Sequence, residues 1–209
     1  WEPNGVDPND RLYAGRTSEG YDDTGRLIAY WNRDTNGKIA RQALVDYENA
    51  EPNPNGVRKG GWYLGPRETL KESVLDPLPY IIQGKQDWLA TISVPIVVDG
   101  KFLGVAGTDL LLGFLQDLAK KVAGSLYEGK GEVLIISNMG LIVANSANPD
   151  IIGKSGKDLF PSNWQEVLST VQGGTSLVNQ DGDLLQAFSP IELGRAGKPW
   201  SVLVRVPSA

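Results

Sequence analysis

The sequence predicts an α+β fold made of two antiparallel, β-rich units joined by a single helix. Three observations carry this. β-prone runs repeatedly end at short turn signals, the strongest being Asp99-Gly100. One segment breaks the pattern: Leu110, Leu111, Phe114, Leu115, Leu118 and Val122 recur at spacings of three and four, which marks an amphipathic helix over 110–123. With 25 Gly and 13 Pro among 209 residues, the elements must be short and the turns frequent.

Each element has its own signal. Residues 1–26 are crowded with turn formers (Pro3-Asn4, Asp7-Pro8-Asn9-Asp10, Asp23-Thr24-Gly25) and are expected to form a loop with one short helix. Residues 26–33 and 38–45 flank Asp34-Thr35-Asn36-Gly37 and suit a hairpin. Residues 49–61 form a second loop. Trp62-Tyr63-Leu64-Gly65-Pro66 leads into an expected short helix from Arg67 to Val74. The β pattern resumes at Pro79. It runs through Tyr80-Ile81-Ile82, a turn at Gln83-Gly84-Lys85, a long strand over 88–98 and its partner over 101–109. After the helix, strands are expected at 132–137, 141–145, 175–179, 184–189 and 200–206, with a helix around 164–171. In this later unit a meandering sheet has its helices on one side.

Two zeros narrow the chemistry. The chain has no Cys and no His, which excludes a Cys- or His-based triad, a Cys/His zinc site and any disulfide. Most catalysis near neutral pH leans on one of these residues. Net charge is −5, the wrong sign for a nucleic-acid binder. No apolar run approaches the roughly 18 residues that a membrane span needs.

The motifs of nucleotide and metal chemistry fail on context. Gly124 to Lys130 has the spacing of a phosphate-binding loop, yet Gly131 stands where a Ser or Thr should follow and a helix precedes it. A flexible linker explains it. Asp181 and Asp183 flank Gly182 as a hairpin turn, and calcium-loop spacing is absent. No cofactor is expected.

The aromatic residues say more. Tyr30, Trp31, Trp62, Tyr63, Tyr80 and Trp88 all fall in the first unit, whereas Trp164 and Trp200 look like core residues of the second. Aromatic walls with a carboxylate such as Asp109 suit a flat or cationic nitrogenous ligand, held by stacking, cation–π attraction and one charge-assisted hydrogen bond. Such a cleft also suits sugars, so a carbohydrate-binding or glycoside-hydrolase domain is the alternative.

The Tyr30-Trp31 strand end, Trp62-Tyr63-x-x-Pro66, Asp76-Pro77-x-x-Tyr80, Gln83-Gly84-Lys85, Val94-Pro95-Ile96 and Gly104 to Asp109 together resemble the double-Cache, PAS-like sensor domain of bacterial chemoreceptors. The resemblance spans essentially the whole chain and is strongest to the branch that senses amines and related metabolites. It implies two PAS-like modules, each an antiparallel sheet flanked by helices, in a non-enzymatic, periplasmic part of an inner-membrane receptor. It further implies a membrane-distal ligand-binding module at 1–110, a connecting helix at 111–123 and a membrane-proximal module at 124–209. The family's long N-terminal stalk helix is expected to be missing from this chain. The full-length receptor is expected to be membrane-anchored and homodimeric.

Carried over position by position, the resemblance gives Trp62 and Tyr63 as pocket wall and Asp109 as the acceptor for a ligand nitrogen. Tyr30, Trp31, Asp76, Leu78 and Tyr80 complete the candidate ligand-binding set. Where the amino-acid-sensing branch has Arg, two residues before the Trp-Tyr pair, this chain has Gly60, which argues against an amino-acid sensor. Leu78 and Tyr80 replace a Tyr and an Asp of the family, so one pocket charge is missing and a polyamine is disfavoured. The expected partner is a monocationic amine, a polyamine or a purine-like base.

Overall fold

The computed structural model describes residues 1–6 and 8–208; the turn expected at Asp7 lies outside them. Two 3₁₀ turns, Asp10–Tyr13 and Thr17–Glu19, punctuate the opening loop. Strands β1 (Ala29–Arg33) and β2 (Ile39–Ala43) form the expected hairpin. Helix α1 (Gly61–Thr69) follows, then β3 (Ser73–Ile82), β4 (Lys85–Val98) and β5 (Lys101–Leu111) as a three-stranded antiparallel sheet in that order. Helix α2 (Leu112–Ser125) leads to β6 (Glu132–Ile136) and β7 (Ile142–Asn145). Helix α3 (Trp164–Gln172), β8 (Leu177–Asp181), β9 (Leu184–Ile191) and β10 (Trp200–Pro207) complete the chain.

Three expectations need correction. The helix expected over Arg67 to Val74 starts earlier, at Gly61, and Ser73 and Val74 already belong to β3. Pro66 therefore sits inside the helix. It has no N–H to offer the carbonyl four residues back, that of Trp62. The buried Ser93 hydroxyl donates to that carbonyl instead, at 2.7 Å, so the helix survives its proline. Strand β3 also starts six residues before Pro79, the expected start; its two prolines are tolerated because it is an edge strand.

The third correction concerns the second sheet, ordered β7-β6-β10-β9-β8. Its helices cover opposite faces, not one. Val133 and Ile135 of β6 share a core with Ala119 and Ala123 of α2, while Leu134 and Ile136 pack with Val167 and Val171 of α3. Successive strand residues face opposite ways, so an unbroken apolar run needs cover on both sides. The Gln116 side chain fixes α2 to β7, donating to the Asn145 carbonyl at 2.7 Å and accepting from its N–H at 2.9 Å.

The two sheets share apolar contacts. Val74 and Ala90 belong to the same core as Leu112 and Trp200, and Leu78 and Leu89 meet Leu141 with Val57. Trp88 lies against Gly153, where any side chain would strike its ring.

Behind α1, the buried Arg26 ties loop to helix. It donates to the Trp1 carbonyl at 2.8 Å, to Glu48 at 3.0 Å and to the Tyr63 hydroxyl at 2.7 Å. Its guanidinium also lies 4.6 Å from the ring centroid of Tyr47, whose hydroxyl donates to Asp22 at 2.6 Å.

Ser93→Ala leaves the Trp62 carbonyl without its donor and should cost about 1–2 kcal/mol in urea denaturation. Alkali should also destabilise the fold. Burial, then the bond to Asp22, pushes the Tyr47 hydroxyl up to about 12 from 10.0, and burial shifts Tyr63 the same way. Above about pH 10 the native state therefore holds more protons than the unfolded chain, and stability falls as pH rises. Urea midpoints should be flat between about pH 8 and pH 9.5 and should drop by about pH 11.

Candidate functional site

Between the β1–β2 hairpin and the open face of the three-stranded sheet lies a cavity of about 760 Å³, a size that suits a small ligand. Strand alternation supplies its sheet side: Leu89, Thr91 and Ser93 from β4, and Leu78, Tyr80 and Ile82 from β3. α1 contributes Trp62, and Trp31, Arg33 and Ile39 stand at the exposed side on the hairpin. An amide network clips the hairpin to the β3–β4 turn. The Asn32 amide donates to Gln42 at 3.1 Å, Gln83 donates to Asn32 at 2.8 Å, and Gln42 donates to the Ile81 carbonyl at 2.9 Å.

Among the described residues lining the cavity, Asp109 is the carboxylate and Arg33 the cation. Asp109 faces Thr91 across the β4–β5 ladder and accepts from its hydroxyl at 2.6 Å. The Tyr30 hydroxyl neighbours Asp109; burial first, and that carboxylate second, hold it protonated far above its ordinary value. A carboxylate has about four acceptor positions, so the Thr91 hydroxyl orients it without filling them. Arg33 is held away, donating to the Gly37 carbonyl of the hairpin turn at 2.7 Å. The Tyr30 and Tyr80 rings meet edge to face, centroids 6.3 Å apart.

The structure brings together Tyr30, Trp31, Trp62, Leu78, Tyr80 and Asp109 of the candidate set. It places two elsewhere. Tyr63 is buried behind α1, where its hydroxyl donates to Glu2 and accepts from Arg26. Neighbours on a helix point about 100° apart, so Trp62 and Tyr63 could not both face the cavity. Asp76 is also buried, and it accepts from the Met139 N–H of the second sheet's β6–β7 turn at 3.0 Å. Thr91, Ser93 and Asn32 escaped the sequence argument. The register opposite Asp109 is the signal that finds Thr91.

Gly60 has a structural reason as well. It caps α1 against the Asp46 and Tyr47 carbonyls, and a Cβ there would lie 2.5 Å from each. No side chain fits at that position, so no guanidinium can reach the cavity from it.

No family model matches the chain. It is 32% identical over 211 residues to the methyl-accepting chemotaxis protein TlpQ of Pseudomonas aeruginosa, spanning 100% of this chain and 30% of that protein. The chain is homologous to a chemoreceptor. Its fold is that of a Cache-type sensor domain. It superposes on the solved methyl-accepting chemotaxis protein X with a TM-score of 0.74 at 23% identity, over 99% of this chain and 72% of that one. For the periplasmic sensory domain of the Campylobacter jejuni chemoreceptor Tlp1 the TM-score is 0.69 at 18% identity, over 94% and 68%. For the ligand-binding domain of the P. aeruginosa amino acid chemoreceptor PctC, in complex with GABA, it is 0.54 at 19% identity, over 85% and 72%.

Chemoreceptor sensor domains are not enzymes, so the glycoside-hydrolase alternative falls away. Among the described residues, no helix of this Cache-type domain is long and apolar enough to cross a membrane.

Asp76→Ala removes the acceptor for the Met139 N–H at the junction between the sheets. It should cost about 1–2 kcal/mol in urea denaturation.

Proposed function

We propose that this Cache-type domain is the periplasmic sensor of a chemoreceptor and that its cavity binds a small nitrogenous metabolite, a monocationic amine or a planar purine-like base. One observation carries the ligand class: a carboxylate held by a neutral hydroxyl, with a phenol beside it, inside an aromatic wall. Asp109 then has one uncompensated negative charge in a site of reduced dielectric, where a single ammonium neutralises it and a free carboxylate is repelled. Tyr30, Tyr80 and Trp62 offer ring faces or edges to the rest of the ligand. The guanidinium that lines the cavity, that of Arg33, donates to the Gly37 carbonyl, so a zwitterionic amino acid lacks its second partner.

The division into a distal ligand-binding module at 1–110, a connecting helix at 111–123 and a proximal module at 124–209 fits the position of the cavity, whose lining residues all fall in the first part except Leu111. The Asp76 and Leu78–Leu141 contacts give that part a route to the second sheet. Ligand binding works through them by favouring one relation of the sheets over another. In this proposal the parent receptor is a membrane-anchored homodimer.

A thermal-shift screen of monoamines, purines, amino acids and sugars tests the ligand class. A stabilising amine or purine should raise Tm by mass action. Asp109→Ala should weaken that ligand about tenfold to a hundredfold with an unchanged circular dichroism spectrum. Stabilisation by amino acids or sugars alone, or affinity indifferent to Asp109, would overturn the proposal.

A further inference from the structure

Tyr80 stands between the main cavity and a second one. The second holds about 240 Å³ along the outer edge of β3, with Val45, Asp46, Lys59 and Gln86 in its wall. Leu78 and Tyr80 line both. The Tyr80 ring is braced on each side: edge to face against Tyr30 on one, and by a hydrogen bond on the other, its hydroxyl accepting from the Val45 N–H at 3.0 Å. Each cavity holds a carboxylate, Asp109 in the larger and Asp46 in the smaller. The phenol stands between the two: burial chiefly keeps its proton on, the Val45 N–H opposes this, and both carboxylates add to the burial effect.

The smaller cavity has the makings of a cation subsite. The charge of Lys59 is paired with Glu51 at 3.1 Å. Asp46, in left-handed backbone geometry at φ 61°, accepts from the Asn49 amide at 3.1 Å. A ligand with one ammonium satisfies Asp109 and ends against the phenol. A longer ligand with a second ammonium would press that charge into an apolar and aromatic wall, at a desolvation cost with no partner to offset it.

We propose that Tyr80 is the specificity-determining residue of this site, the partition that limits it to ligands with one cationic end and keeps Asp46 out of reach. The inference rests on the amine reading above. Specificity here is a difference of affinities produced by blocking a competitor, and removing the block joins the two cavities. The Asp46 carboxylate then becomes the second anchor of a diamine.

Calorimetry with hexylamine and hexamethylenediamine tests this on the native domain, Tyr80→Phe, Tyr80→Ala and the double variant Tyr80→Ala/Asp46→Asn. Tyr80→Leu, which keeps an apolar wall against Leu78, replaces Tyr80→Ala should the latter fail to fold by circular dichroism. The native domain and Tyr80→Phe should prefer the monoamine. Opening the partition should raise the diamine-to-monoamine affinity ratio about tenfold or more, the worth of one charge-assisted bond, and Asp46→Asn should abolish the gain. A ratio unchanged in Tyr80→Ala, or a gain that survives Asp46→Asn, would overturn the inference while leaving the amine reading intact. Failure of every variant and of the native domain to bind either amine would remove that reading and this inference with it.

Discussion

Strand β4 performs two tasks on its two faces, and the arrangement of the molecule depends on keeping them apart. Leu89, Thr91 and Ser93 line the cavity, while Trp88, Ala90 and Ile92 pack into the core shared with the second sheet. Side chains alternate with a period of two, so a slip of one residue would exchange the two sets. Thr91 would then leave Asp109, Ser93 would abandon the Trp62 carbonyl, and Trp88 would turn into the cavity. The ladder to β5, which pairs Leu89 through Val98, holds that register past the cavity-lining residues.

Strand β3 solves a related problem by breaking its own alternation. Before Asp76-Pro77, Val74 faces the shared core; after it, Leu78, Tyr80 and Ile82 face the cavity. The register shift between Leu75 and Leu78 changes which residues point which way. The bulge also turns Asp76 toward the β6–β7 turn, where its carboxylate receives the Met139 N–H. One irregularity thus shapes a wall of the cavity and supplies a polar tie to the neighbouring sheet.

The cavity's electrostatics follow from neutral donors. Thr91 orients Asp109 and Tyr30 lies beside it, neither cancelling its charge, and the Arg33 guanidinium donates to the hairpin turn. The hairpin itself is held by amides of Asn32, Gln42 and Gln83, which carry no charge to compete with a ligand. The aromatic residues then provide shape and cation affinity around a single anionic point.

Much of this was legible in the residues. The helix over 110–123, the Asp99-Gly100 hairpin and the strands of the second sheet follow from periodicity and turn chemistry, which are local properties. Asp109 and several aromatics of the first half line the larger cavity, as their clustering in the sequence suggested. What the sequence hid depends on distant partners. Pro66 reads as a helix start because its tolerance inside α1 comes from Ser93, about thirty residues on. The prolines of β3 mask a strand that its edge position permits. Tyr63 and Asp76 look like pocket residues until Arg26 and Met139 are brought beside them. Composition, hairpins and helical periodicity are therefore determined by neighbours in sequence, whereas the facing of side chains around a bulge, and the choice between pocket and core, are decided only when long-range packing fixes the register.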